Sequence, residues 1–475
     1  MNSNNNIPTG KGLLASYISG IMDREHGERY RSIFRYLIPE FVIALLIYSM
    51  PYWVDSYFVS HLSAAAYPTL GGINNIIHFF IKLAEGFSVG TVIMSGQLCG
   101  KQAYDRVGQA FSSFFWSTML FSSILALLLY AGAPYILQWY GFPQDMIELG
   151  MPFLRLRTIS IVMIFLFLVC IGFLRGVKNT RVPMLIYLAG AIIFIAFDYI
   201  LIFGKLGLPA LGLKGSAYAS VIQYGSMLAI CISYILFRSK HERYSLGIFT
   251  SSMCFADICN AMKLGWPLMV DKAVMAIAYV WLGKMICPLG KIWISTFCVV
   301  KDMERFAFLP AIAAAQVITF LVSNDYGAQH WQDIKSNIKK VGFVASSLVF
   351  IALVLISLYP EHIISLFDKT GEFTAQAAQV FPLLSVLVFF DLLQLILSGA
   401  LRGTGDVKTV MFVRLIVCFG YFIPVSYLLS QSVSTDPMTK FLLIYGSFYV
   451  GNALMSVVYI NKFRGEKWKQ VSRIS

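Results

Sequence analysis

The sequence predicts an all-α polytopic membrane protein, with twelve transmembrane helices in two pseudo-symmetric six-helix lobes. Three observations lead there. Of 475 residues, 58% are apolar and 13% charged, whereas soluble globular proteins carry about 45–50% and about 25%. Apolar runs of about 17–25 residues, enough to cross a bilayer, recur from end to end. Landmark residues also repeat at a spacing of 227. With 15% aromatics and a mean hydropathy of +0.71, the composition argues against a water-soluble enzyme.

Apolar stretches bounded by charge, glycine and proline place spans at 36–60, 72–98, 111–137, 153–174, 182–203 and 215–237. A second set follows at 262–285, 293–323, 341–359, 378–401, 410–430 and 439–461. Pro39 opens the first span, and Pro51 within it removes a backbone hydrogen bond and can kink it. The first, second, seventh and eighth spans carry interior charges, which directs the search for function to them. Residues 1–35 are polar and lack the apolar region and cleavage site of a signal peptide, so the first span reads as retained. The expected division is a cytoplasmic segment 1–35, an N-lobe 36–237, a cytoplasmic linker 238–261, a C-lobe 262–461 and a basic tail 462–475.

The formal charge is +13. Counted loop by loop, 24 Lys and Arg fall on the inner segments if the N-terminus is cytoplasmic, and 6 on the outer loops, or 8 if Arg155 and Arg157 sit at the outer mouth of the fourth span. The positive-inside rule puts both termini in the cytoplasm of an inner (plasma) membrane protein. The basic excess then reads as topology with attraction to anionic lipids, and no nucleic-acid partner is implied. The eight cysteines are scattered without a CxxC pair, so neither a disulfide framework nor a metal site is expected.

At a shift of 227, Leu174-Arg175-Gly176 falls on Leu401-Arg402-Gly403, and Gly100-Lys101-Gln102 on Gly327-Ala328-Gln329; Pro39 matches Pro267 at 228. Six helices are therefore duplicated, and because six is even the halves are parallel repeats with the substrate path expected between them. The Leu-Arg-Gly segments read as tight turns whose arginines meet lipid phosphates or helix C-termini.

These landmarks resemble the multidrug and toxic compound extrusion (MATE) family of the flippase superfamily. The matching residues are Val54-Asp55-Ser56-Tyr57-Phe58-Val59, Gly86-Phe87-Ser88-Val89-Gly90, Phe173-Leu174-Arg175-Gly176, Asp198 to Gly204, Leu213-Lys214-Gly215-Ser216-Ala217 and Ser398 to Asp406. The resemblance spans about residues 35 to 460. It implies two six-helix lobes forming a V that exports organic cations or amphipaths against inward sodium or proton flow.

Ionisable residues inside spans cost about 2.5–3.5 kcal/mol each on insertion scales and are functional candidates by default. Asp55 lies about 19 residues into the first span, roughly 28 Å along its axis, and Asp198 about 16 residues into the fifth, roughly 24 Å. Two carboxylates at one depth can share a proton or hold a cation. By resemblance they match the family's N-lobe acidic pair, a seat for H+ or Na+. Phe194 stands where an archaeal-type member carries Asn, which weakens the sodium reading relative to protons. Asp391, eleven residues before Arg402, matches the C-lobe aspartate of the bacterial cation-coupled branch. That branch carries a glutamate where this chain has Met275, with Asp271 one turn away as a substitute.

The remaining intramembrane charges fall into helical pairs that face the cleft: Lys82 with Glu85, Lys301 with Glu304, and Asp302 with Arg305. Lys272 and Arg414 are expected to snorkel or to pair with Asp271 or Asp391. Tyr57, Trp53, Tyr279, Trp281 and Phe390 can stack on a cationic substrate or serve packing alone.

The expected function is a secondary-active antiporter, coupled to H+ or Na+, that exports a small cationic or amphipathic solute. Such a protein works as a monomer among membrane lipids, needs no cofactor besides the ion, and is not an enzyme. The chain has no GxxxxGK[ST] loop, and its six histidines lack metal or triad spacing. The alternative is a flippase of the same superfamily for lipid-linked oligosaccharide or peptidoglycan precursors, whose pyrophosphate needs a positive cleft; Lys82, Lys272, Lys301, Arg305 and Arg414 leave that open.

Overall fold

The computed structural model describes residues 17–48, 54–55, 57–59, 61–62, 66–139, 141–237, 244, 255–365, 371–431 and 436–470. Pro51, Trp53 and Cys254 lie outside the described residues. The first half comprises α1 (Tyr30–Tyr48), α2 (Ala66–Gly100), α3 (Tyr104–Trp139), α4 (Gln144–Gly176), α5 (Arg181–Phe203) and α6 (Leu213–Phe237). The second comprises α7 (Phe255–Ile286), α8 (Lys291–Gly327), α9 (Trp331–Leu358), α10 (Thr374–Gly403), α11 (Val407–Gln431) and α12 (Pro437–Arg464).

Eleven of these helices, α2 to α12, are long and apolar enough to cross a membrane. Several overrun the apolar stretch that predicts them. The 36 residues of α3 reach about 54 Å, well past a hydrocarbon core of about 30 Å, so their polar ends stand in the interface. A π-turn at Cys418–Phe422 interrupts α11 just before Pro424, which has no N–H for the preceding turn and whose ring crowds its carbonyl.

Two apolar cores divide the molecule. One draws mainly on α2 to α6, with Phe87, Phe111, Phe165 and Phe173 fully buried; the other draws mainly on α7 to α12, with Phe320, Phe381 and Tyr445 at its centre. The opening turns of α1 reach across: Ile33 and Leu37 belong to the second core, and Ile43 and Leu46 to the first.

The duplication is written into the backbone as well. The rare left-handed positions recur at the sequence shift, Gln102 (φ 59°) with Gln329 (φ 62°) and Lys178 (φ 58°) with Gly405 (φ 88°). Where the C-terminal ends of α2 and α8 cross, a Cβ on Gly100 would fall on the Asn324 carbonyl, and one on Gly327 on the Gln97 carbonyl. That close approach aligns two equivalent amides: Gln97 Nε2 donates to Gly403 O at 3.1 Å, and Asn324 Nδ2 donates to Gly176 O at 2.9 Å. The lobes are thus joined at one end by a reciprocal pair of hydrogen bonds.

The chain before α1 straps this same end. The Gly27 and Glu28 amides donate to Asp333 and Asn337 of α9 at 2.7 and 2.8 Å, and Lys340 donates to His26 O at 2.6 Å. Glu28 also pairs with Lys178 of the other lobe at 3.0 Å.

Intramembrane acidic sites and the central cleft

Asp198 and Asp55 come together in the N-lobe. A Cβ on Gly215 would lie 2.7 Å from the Leu201 backbone, so only glycine lets α6 pack this closely on α5. The approach sets Ser216 beside both acids, and its hydroxyl donates to Asp55 Oδ1 at 2.7 Å. Asn74 of α2 stands next to Asp55. Asp198 is fully buried, and neither of its carboxylate oxygens has a hydrogen-bond partner among the described residues. Phe194, one turn away, packs with Leu201 and Ala219 and brings no polar atom to the pair.

Sequence reasoning missed the third charge. It considered Arg157 only as a residue that could sit at the outer mouth of the fourth span, whereas α4 begins at Gln144, more than three turns before it. The guanidinium stands over the Phe153 ring at 5.9 Å, within electrostatic reach of Asp55, Asp198 and Tyr224. Its Nε is buried and unpartnered among the described residues.

The C-lobe acids sort differently. Asp271 is 1% exposed and held by two arginines: Arg402 Nη2 donates to Oδ2 at 2.7 Å, and Arg414 Nε donates to Oδ1. A carboxylate with two buried guanidinium partners has no vacancy for an ion, which corrects its reading as a substitute coupling group. Arg402 is thus buried against a carboxylate rather than standing at the surface as expected, and Arg175 departs in the same way. Its Nε and Nη2 grip both oxygens of Glu40 at 2.8 and 2.6 Å. Each Leu-Arg-Gly arginine therefore ties its lobe's fourth helix to its first.

Asp391 accepts a hydrogen bond from Asn452 Nδ2 of α12 at 3.1 Å, within electrostatic reach of Arg414 and Tyr279. The expected Lys301–Glu304 ion pair does not form among the described residues. Glu304 turns into the lobe, is 7% exposed and accepts from the Tyr445 hydroxyl, while Tyr449 stacks on Tyr445 at 5.6 Å. A helical spacing of three allows the pair but does not aim it, and the tyrosines of α12 supply the donor that decides its direction. Glu304 and Asp391 lie within electrostatic reach of each other.

The other helical pairs hold. Lys82 donates to Glu85 at 2.7 Å, Lys272 reaches the same carboxylate from α7 at 3.0 Å, and Asp302 meets Arg305 at 3.6 Å. Trp281 donates to Ser426 at 2.9 Å and Tyr279 packs on Phe448 at 5.1 Å, so both rings have internal partners. Tyr57 is 64% exposed and packs on His61 at 4.9 Å. No group of three or more His, Cys, Asp or Glu able to hold a metal ion occurs among the described residues.

Comparison with known proteins matches both lobes to one family. The MatE family model fits residues 41–200 and again 267–428. The probable multidrug resistance protein YoeA of Bacillus subtilis is 22% identical over 403 residues, covering 84% of this chain and 86% of that protein. The probable multidrug resistance protein NorM of Photorhabdus laumondii is 26% identical over 367 residues, covering 76% and 79%. A mutant of the Vibrio cholerae MATE transporter VcmN superposes with a TM-score of 0.83 at 14% identity, covering 97% and 99% of the two chains.

Proposed function

The chain belongs to the MatE family of multidrug efflux transporters, and on that premise we propose that it is a secondary-active antiporter whose coupling ion binds the Asp55–Asp198 pair. The observation that carries this reading is the buried Asp198 carboxylate, with neither oxygen hydrogen-bonded among the described residues, beside an Asp55 that accepts from the Ser216 hydroxyl and has Asn74 next to it. Two carboxylates and the Arg157 guanidinium leave one negative charge, which one proton or one sodium ion neutralises. One charge moving down 100 mV supplies about 2.3 kcal/mol, enough for a gradient of roughly fifty-fold per ion.

In this reading the two lobes, residues 36–237 and 262–461, rock against each other, with both termini cytoplasmic. The end closed by the Gln97 and Asn324 amides is then the cytoplasmic one, and the cleft opens outward. Ion entry from outside neutralises the pair and favours solute release; ion loss inside resets the cycle. The Asp391–Glu304 pair offers a second acidic site in the other lobe. The solute is a small organic cation or amphipath. A second reading, flipping of a lipid-linked sugar or peptidoglycan precursor, is favoured by the four basic side chains of α2, α7 and α8 at mid-membrane depth.

Efflux of ethidium from energised cells tests the assignment. Asp55→Asn and Asp198→Asn are expected to reach the membrane in wild-type amount and to lose ion-driven export. Unchanged export in both would remove the N-lobe pair, and a larger loss in Asp391→Asn would move the coupling site to the C-lobe.

A further inference from the structure

Basic side chains from both lobes gather where α2, α7 and α8 face one another. Lys82 and Lys272 share one carboxylate, Glu85, at 2.7 and 3.0 Å. Arg305 touches Asp302 at a loose 3.6 Å, with both side chains nearly half exposed, 46% and 43%. Lys301 stands over the Phe297 ring at 5.3 Å and pairs with no carboxylate among the described residues. Four positive side chains thus meet two carboxylates, a surplus of two positive charges. His78 of α2 is exposed and lies within electrostatic reach of Lys82, Glu85, Lys301 and Arg305, which ties the two lobes' charges into one field.

Depth decides which way these groups face. Asp302 and Arg305 are the twelfth and fifteenth residues of α8, roughly 17 and 21 Å from its start at Lys291. At that depth a half-exposed charge cannot face hydrocarbon, so it faces a water-filled cleft. Apolar walls around such a cleft focus its field. Glu85 itself lines a cavity between the lobes whose walls mix Ile43, Ile47, Val89 and Ile312 with the Glu40–Arg175 ion pair, Tyr187 and Gln316. The basic groups stand beside this partly apolar wall, and together they suit a ligand with an anionic head and an apolar body.

Resting on the transport reading, we infer that this cleft is an anion-binding substrate site, formed by Lys82, Lys272, Lys301 and Arg305, that takes the phosphate or carboxylate head of an amphipathic solute. Arg305 and Lys301 make the direct contacts, because neither is tied to a close carboxylate. Lys82 and Lys272 hold the field through Glu85.

The test is titration of the full chain in neutral phosphatidylcholine nanodiscs with three probes: 1-naphthyl phosphate as a free organic anion, dodecyl phosphate as a lipid-like one, and tetraphenylphosphonium as a cation. At least one phosphate is expected to bind more tightly than tetraphenylphosphonium. Its Kd should rise about tenfold in Lys301→Gln and in Arg305→Gln, the loss of one charge-assisted hydrogen bond each, and Lys301→Arg should restore it. Naphthyl phosphate binding assigns a free solute, and binding of dodecyl phosphate alone assigns a lipid head; both outcomes support the site. Tetraphenylphosphonium binding tighter than either phosphate, or phosphate affinity unchanged in both Gln variants, overturns it. Ion-driven flux measured on the same protein separates this inference from the coupling proposal. Flux lost with phosphate binding kept defeats only the coupling proposal, and phosphate binding absent with tetraphenylphosphonium flux kept defeats only the anion site.

Discussion

Removing the two amides that join the lobes, Gln97→Ala with Asn324→Ala, should tip the molecule toward the state open at that end. Each side chain donates one neutral hydrogen bond to a carbonyl of the opposite lobe, at 3.1 and 2.9 Å. A buried bond of this kind contributes about 1 kcal/mol net, because the freed groups find water when the interface parts. Two contribute about 2 kcal/mol, which changes the ratio of closed to open molecules by roughly thirty-fold. Spin labels at Arg181→Cys and Lys408→Cys report the separation, in a background without native cysteines. These exposed residues occupy equivalent positions in the two repeats. Double electron–electron resonance should show a longer-distance population growing in the double variant, with each single variant intermediate. An unchanged distance distribution would refute the latch and leave these bonds as local packing.

Other perturbations follow from the same geometry. Asp271→Asn strands the Arg402 and Arg414 charges in a buried site and should cost about 3–5 kcal/mol, seen as a fall of several degrees in the Tm of detergent-solubilised protein; Asp302→Asn, with its half-exposed pair, should leave the Tm unchanged. Gly100→Leu places side-chain atoms on the Asn324 carbonyl and should part the lobes in the same spin-label assay, whereas Gly342→Leu, with no atom within 4 Å of a new Cβ, should be silent. Arg157→Gln removes the positive charge resident beside Asp55 and Asp198, so the pair should take one more monovalent cation; the reversal potential of substrate flux would report one additional ion per cycle.

The helices were legible because a bilayer demands long apolar runs with every backbone group paired within the span. The repeat was legible because the turn residues Gln102 and Gln329, and the glycines beside them, are constrained by backbone geometry. The acidic pair was legible through cost: an aspartate in a span needs a reason. What the sequence left open was aim. Spacing offered Glu304 a lysine three residues earlier, and the fold gave it Tyr445, 141 positions away. Arg175 and Arg402 looked like surface anchors because a helix end beside a glycine turn reads the same whether it faces lipid or a buried carboxylate. Arg157 was not singled out because a helix extends beyond its apolar core: the boundary drawn from hydropathy fell nine residues late, which left the residue close to the apparent end of the span. The repeated prolines offered one available signal: each Leu-Arg-Gly arginine has an acid within four residues after the proline of its lobe's first helix, Glu40 after Pro39 and Asp271 after Pro267.

The most direct test of ion-coupled transport is solute flux in proteoliposomes under imposed gradients. Purified protein should accumulate or expel the probe only while a proton or sodium gradient, or a membrane potential, is present, and Asp198→Asn should abolish that dependence. Equal flux with and without any gradient would contradict coupling through the buried carboxylates.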